Sequence, residues 1–127
     1  MMSFFLEKKS TQSTPYVLID EEKHYMKIEG MCFHENAADF FEDIVKWLAK
    51  YLDSDYDTFT FDCKMKYFNS STTKVLFDIL ELVNESAINN KEAIVNWHSN
   101  KGDDLLTELF EDIEEEYENL TINLIIS

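Results

Sequence analysis

Four consecutive hydroxyl residues, Ser70, Ser71, Thr72 and Thr73, follow Asn69 where the chain changes from strand-like alternation to helical spacing. Hydroxyls delivered to the first turn of a helix meet unpaired backbone N–H groups and the positive end of the helix dipole. That end receives anions well, so a phosphate esterified to one of these oxygens is accommodated there. The same run also reads as a plain helix N-cap, a place where Ser and Thr are common. Lys74 in the first turn can pair with such a phosphate or be an ordinary surface lysine. Asn69 is placed to hold the turn by a local side-chain hydrogen bond. Asp78 stands at i+4 from Lys74, the spacing of a weak surface ion pair.

Other chemistries lack their residues. The only glycines are Gly30 and Gly102, which removes the phosphate-cradling loop and the dinucleotide fingerprint. Neither a GxSxG elbow nor an HExxH helix occurs. His24, His34 and His98 lie far apart, none with a partner at metal or triad spacing, so each reads as an ordinary strand or loop histidine. Cys32 and Cys63 form no CxxC pair and read as inert core fillers. The acids from Glu108 to Glu118 point in different directions around a helix and make a solvated face, not a metal cage. The residues therefore call for no metal and no cofactor, and they present no case for an enzyme.

The composition narrows the partners. The chain has 127 residues, 45% apolar, and a net charge of -15. Such a charge disfavours nucleic acid and anionic membrane, which need a basic face. It suits a protein partner with a basic patch, or serves solubility alone. Nothing approaches the ~18 apolar residues of a membrane helix, and Met1–Ser10 has no cleavable-signal pattern. A cytoplasmic location is expected.

The elements that carry these residues follow from periodicity. Residues 7–15 read as an extended, polar lead-in ending at Pro15. Tyr16–Asp20 and His24–Glu29 make an antiparallel pair around a short turn. After a loop over Gly30–Asn36, with Asn36 as N-cap, Phe40, Phe41, Ile44, Val45, Leu48, Tyr51 and Leu52 recur at helical spacing. Trp47 falls beside that stripe, at the core margin or as an interface anchor. Thr58–Met65 alternates cleanly, and the helix after the hydroxyl run buries Val75, Leu76, Ile79, Leu80 and Val83. Ala93–His98 is a fourth strand. A third helix, capped by Asp103 or Asp104, leads to a last strand, Thr121–Ile126. The expected fold is α/β: one domain over residues 1–127, ordered ββαβαβαβ. Its mixed sheet has about five strands, with helices mainly on one face and the other face partly open.

The central stretch, Tyr67-Phe68-Asn69-Ser70-Ser71-Thr72-Thr73-Lys74 and then Asp78-Ile79, resembles the signature of the SiaC family of regulatory phosphoproteins. Three further features agree in order along the chain. They are Thr11-Gln12-Ser13-Thr14-Pro15, Glu35-Asn36 before a Phe-Phe helix, and Trp97-His98 on the fourth strand. The resemblance implies a fold similar to the anti-sigma-factor antagonist (STAS) domain and a place in a partner-switching pathway. It implies a Ser/Thr protein kinase, a PP2C-type phosphatase and a target, a diguanylate cyclase in the characterised kind of pathway, bound by the unphosphorylated form. By position the accepting hydroxyl is Ser70, where the family has threonine, with Ser71, Thr72 and Thr73 as alternates. Asn69, Ser70, Ser71, Lys74 and Asp78 would form the switch surface.

Two rival readings stand beside this one. In the first, a ligand-binding or enzymatic α/β domain uses the open sheet face around Lys64, Lys66 and His98. In the second, the protein is a constitutive structural subunit whose hydroxyl run is only a cap.

Overall fold

The computed structural model describes residues 3–126. Six strands form one sheet in the order of the chain itself. They are β1 (Phe5–Lys8), β2 (Tyr16–Asp20), β3 (Tyr25–Cys32), β4 (Thr58–Phe68), β5 (Glu92–Ser99) and β6 (Thr121–Ile126). The pairs β1/β2 and β2/β3 are antiparallel, and β3 through β6 run parallel. Four helices connect the parallel part: α1 (Ala37–Phe40), α2 (Glu42–Leu52), α3 (Ser70–Ser86) and α4 (Asp104–Glu116).

Alternation within the strands separates the two faces. On β4, Phe59, Phe61, Cys63 and Met65 are buried while Thr60, Asp62 and Lys64 stay half-exposed. The stripes Ile44/Leu48/Leu52 of α2, Val75/Ile79/Val83 of α3 and Leu106/Ile113 of α4 join the same core, so the helices cover one face. Burial pushes the Cys63 thiol up to about 12, and both cysteines are free and buried. They are core fillers, as their spacing suggests.

The uncovered face carries a polar ladder. The Tyr25 hydroxyl donates to Asp62, Asn96 Nδ2 donates to Asp62 Oδ1 at 2.7 Å, and Asn123 Nδ2 donates to Asn96 Oδ1 at 3.1 Å. Burial, then the hydrogen bond to Asp62, raises the Tyr25 pKa.

Three features differ from the sequence reading. The sheet has six strands, not about five, because Phe5–Lys8 pairs with β2 as an edge strand. Only Leu6 of its four residues packs against the core, so it carries no alternating signal, and the charge at Glu7 and Lys8 suits an edge. Lys8 ties the strand down through Asp43 at 3.0 Å. The first helix is broken at Phe41, whose backbone (φ -91°, ψ 3°) ends α1 and starts α2. Phe41 is fully buried, edge-on to Phe40 at 4.8 Å, and backbone bonds to Ala37 and from Val45 run through the break. Finally, β3 and β4 extend past the expected ends and shift register between Gly30 and Met31. Gly30 pairs with Met65 and Met31 with Tyr67, which leaves Lys66 as an extra residue on β4. Gly30 has φ +116°, a conformation that favours glycine. A bulge of this kind re-aims side chains, and here Lys66 and Tyr67 are both exposed where strict alternation would bury one.

Trp47 belongs to the core margin. Its ring lies between Phe4 (5.7 Å) and Tyr51 (4.9 Å), and its indole N–H donates to Glu21 at 3.0 Å.

Candidate functional site

The four hydroxyls after Asn69 sit in four different environments. Asn69 is the N-cap of α3: its Oδ1 accepts from the Thr72 N–H at 3.0 Å and from the Thr72 hydroxyl at 2.8 Å. Its amide N–H donates to the His34 carbonyl at 3.1 Å, which fastens the cap to the loop after β3. Thr72 is fully buried. The Thr73 hydroxyl donates to the Asn69 carbonyl at 3.2 Å, and Ser71 Oγ accepts from the Ala37 N–H at 2.9 Å, capping α1 from outside. Ser70 is exposed, and among the described residues its hydroxyl has no hydrogen-bond partner. The cap is thus the asparagine, and three of the four hydroxyls are engaged in holding the junction together.

Electrostatics set this junction apart from the other helix starts. The first turns of α1, α2 and α4 carry Asp39, Glu42 with Asp43, and Asp104, whereas the first turn of α3 carries no acid. In a chain with 26 acids, the longest helix thus leaves its positive end without a fixed anion. Lys74 and Asp78 are both exposed, and the ion pair their spacing allows is absent among the described residues. Lys74 is one turn from Ser70, on the same side of the helix.

Loss of the cap should be felt directly. Asn69→Ala should destabilise the fold by about 1–2 kcal/mol, since the Thr72 N–H loses its acceptor and the Thr72 hydroxyl keeps only the long bond to the Cys32 carbonyl at 3.5 Å. Urea denaturation monitored by circular dichroism checks this, and a change of a few tenths or less would show that the cap carries little weight.

The structure spreads the residues of the rival reading along the open face. Lys64 and His98 stand on adjacent strands, one position beyond the Cys63–Trp97 pair, next to the polar ladder. Lys66 lies at the bulge, where it lines a cleft of about 560 Å³ with Thr11, Tyr16, Lys27, Glu29 and Met31. The sequence reading did not single out three exposed apolar side chains beside Ser70: Met31, Phe33 and Tyr67. A glycine inside a strand pattern, Gly30, was the available signal, because such a glycine marks a bulge.

The ends of β3 and β4 thus set three exposed apolar side chains beside an exposed, unengaged serine on a firmly capped helix. The family model of SiaC family regulatory phosphoproteins matches residues 8–127, and the chain belongs to that family. It is a regulatory protein, not a catalyst. An uncharacterized protein of Pseudomonas aeruginosa (strain UCBPP-PA14) is 26% identical over 106 residues, 84% of each chain. Among solved structures, SiaC of Pseudomonas aeruginosa in complex with the diguanylate cyclase SiaD, which it activates, superposes with a TM-score of 0.88. That match has 24% identity and covers 96% of this chain and 99% of that one. Another structure of SiaC from the same organism gives 0.82 at 25% identity, covering 99% and 98%. No helix among the described residues is long and apolar enough to cross a membrane.

Proposed function

We propose that this protein is the switched component of a partner-switching pathway, phosphorylated on Ser70 by a Ser/Thr kinase and dephosphorylated by a PP2C-type phosphatase. The unphosphorylated form binds its target in the cytoplasm and activates it. The target is a diguanylate cyclase, a choice supported by the complex of the structural relative SiaC with SiaD. The observation that carries the acceptor assignment is the contrast within the hydroxyl run: Ser70 is exposed and unengaged, while Ser71, Thr72 and Thr73 serve the junction. A phosphate there adds about -1.5 to -2 charge at neutral pH without breaking any of those bonds. It also supplies the anion that the first turn of α3 lacks.

The test is intact-mass and fragment mass spectrometry of the protein from its native cells, beside Ser70→Ala. One phosphate on Ser70, lost in the variant, is the expected result. A phosphate on Ser71, Thr72 or Thr73 would move the acceptor, and none under any growth condition would sink the switch.

A further inference from the structure

Three of the large apolar side chains exposed on this protein are neighbours. Met31 is 45% exposed, Phe33 46% and Tyr67 67%. Met31 and Tyr67 are register partners across β3 and β4, and the rings of Phe33 and Tyr67 are 6.1 Å apart. The cluster is held firmly, since the Phe33 N–H donates to the Ser13 carbonyl at 2.8 Å and the Asn69 N–H to the Cys32 carbonyl at 3.3 Å. Tyr67 is exposed because of the bulge at Lys66, a local break in the ladder that the fold keeps beside Ser70.

Through Met31 the cluster runs into the cleft with Lys27, Glu29 and Lys66. All eleven basic residues of this chain are lysines; Lys27 and Lys66 line this cleft, and Lys64 stands opposite Glu29 in the strand register. Lys27 pairs with Glu29 at 2.9 Å. The Glu29 carboxyl is held below its usual range first by its hydrogen bond with Lys27, with Lys64 and Lys66 adding to the pull. Two lysines thus line the cleft beside Glu29, with Lys64 acting on the same carboxylate and Glu7 at the cleft edge on the Tyr16 hydroxyl. Two other clefts lack a lysine excess: Lys8 and Lys46 stand with Asp39, Glu42 and Asp43, and Lys50 and Lys91 with Asp53 and Glu85. On a strongly acidic protein, the surface next to Ser70 is locally basic.

We propose that Met31, Phe33 and Tyr67, bordered by Lys64 and Lys66, are the surface on which the regulated target docks, and that the target presents to it an apolar anchor flanked by carboxylates. This rests on the switch at Ser70 and specifies its partner surface. The net charge of -15 favours a target that is basic as a whole, while contact at this surface selects the opposite sign. The apolar cluster supplies the anchor site that dominates protein interfaces, and the lysines supply register and selectivity. Phosphate on Ser70, three residues past Tyr67, puts negative charge where the target's carboxylates must approach. Lys74, free of any ion pair among the described residues, stands one turn away to hold it.

The experiment replaces Tyr67, and separately Phe33, by the photo-cross-linker p-benzoylphenylalanine in the full chain carrying Ser70→Ala. Ile88, an exposed residue outside this cluster, carries it as the control. After irradiation in native cells, the cross-linked peptide is sequenced. The expected adduct is a segment of one partner with apolar residues next to two or more Asp or Glu. With that partner purified, Tyr67→Ser should weaken binding at least 30-fold and the Lys64→Glu/Lys66→Glu pair at least 10-fold, and Lys101→Glu should change nothing. An adduct with a basic or uncharged segment, equal labelling from position 88, no adduct at 33 or 67, or undiminished binding by Tyr67→Ser would overturn the proposal. Ser70 phosphorylation is read separately by intact mass. A complete adduct with no phosphate in any condition leaves the docking surface standing and removes the switch. A phosphorylated Ser70 with no effect of Tyr67→Ser does the reverse.

Discussion

Phosphorylation of Ser70 should weaken target binding at least 100-fold relative to Ser70→Ala, while the melting temperature moves by no more than about 5 °C. A 100-fold loss is about 2.7 kcal/mol. At an effective dielectric constant near 20, one unit charge about 5 Å from another costs roughly 3 kcal/mol. A phosphate near -2 therefore reaches the required penalty against a single carboxylate of the target, before any steric clash is counted. The fold feels much less. At the start of α3 the phosphate gains about 0.3–1 kcal/mol from the dipole, and repulsion from the rest of an acidic chain works against that gain. Ser70→Asp carries half the charge and a shorter reach, so its effect should fall between the alanine variant and the phosphoprotein. Isothermal calorimetry with the kinase-treated protein decides the matter. Equal affinity of the two forms would remove the switch, and a large drop in melting temperature would mean that phosphate acts by unfolding instead.

The second large effect concerns stability. Trp97→Ala should cost about 3–5 kcal/mol, a large part of the 5–15 kcal/mol that holds a typical domain together. Trp97 is 2% exposed on β5, and its indole N–H donates to the Leu106 carbonyl of α4 at 3.0 Å. It therefore fills volume between sheet and helix while setting where that helix sits. Removing it leaves a cavity and frees α4 at one point. Trp97→Phe keeps most of the volume and loses the hydrogen bond, so it should cost only about 1–2 kcal/mol. Urea midpoints with unchanged slopes measure both. A loss below 1 kcal/mol for the alanine variant would show that α4 is anchored elsewhere, for example through Tyr117, whose hydroxyl donates to the Phe77 carbonyl.

The parts of the fold legible in the sequence are those with a strong period. Alternation over Thr58–Met65 and over Ala93–His98 placed two central strands, and the helical stripes placed α2, α3 and α4, because one buried face imposes its period on residue type. Asn36 was recognisable as a cap for the same local reason, and the cap of α4, open between Asp103 and Asp104, is Asp103; both accept a first-turn N–H. The edge strand β1 escaped because an edge is solvated and needs little apolar alternation. The break at Phe41 escaped because an unbroken stripe passes over it. At the site, residue types announced the hydroxyl run and the asparagine, but the division of labour among Ser70, Ser71, Thr72 and Thr73 depends on Ala37, Cys32 and His34. Those neighbours are more than thirty positions away, beyond any local pattern. The apolar cluster was hidden by the bulge, which changes the face of Tyr67 without changing its spacing.

The order β1-β2-β3-β4-β5-β6 has a kinetic consequence. Each strand pairs only with those before and after it in the chain, so no strand must wait for a distant partner to insert between two already formed. A chain leaving the ribosome adds each strand to a finished edge, in the direction of synthesis. The antiparallel β1–β2–β3 portion emerges first and closes over short loops, giving every later crossover a template. Within this sheet β6 is the last strand to be added, after α4, so the sheet before that step lacks one helix and one strand. At that stage every residue that caps α3 and fastens it to His34 and Ala37 is already in place.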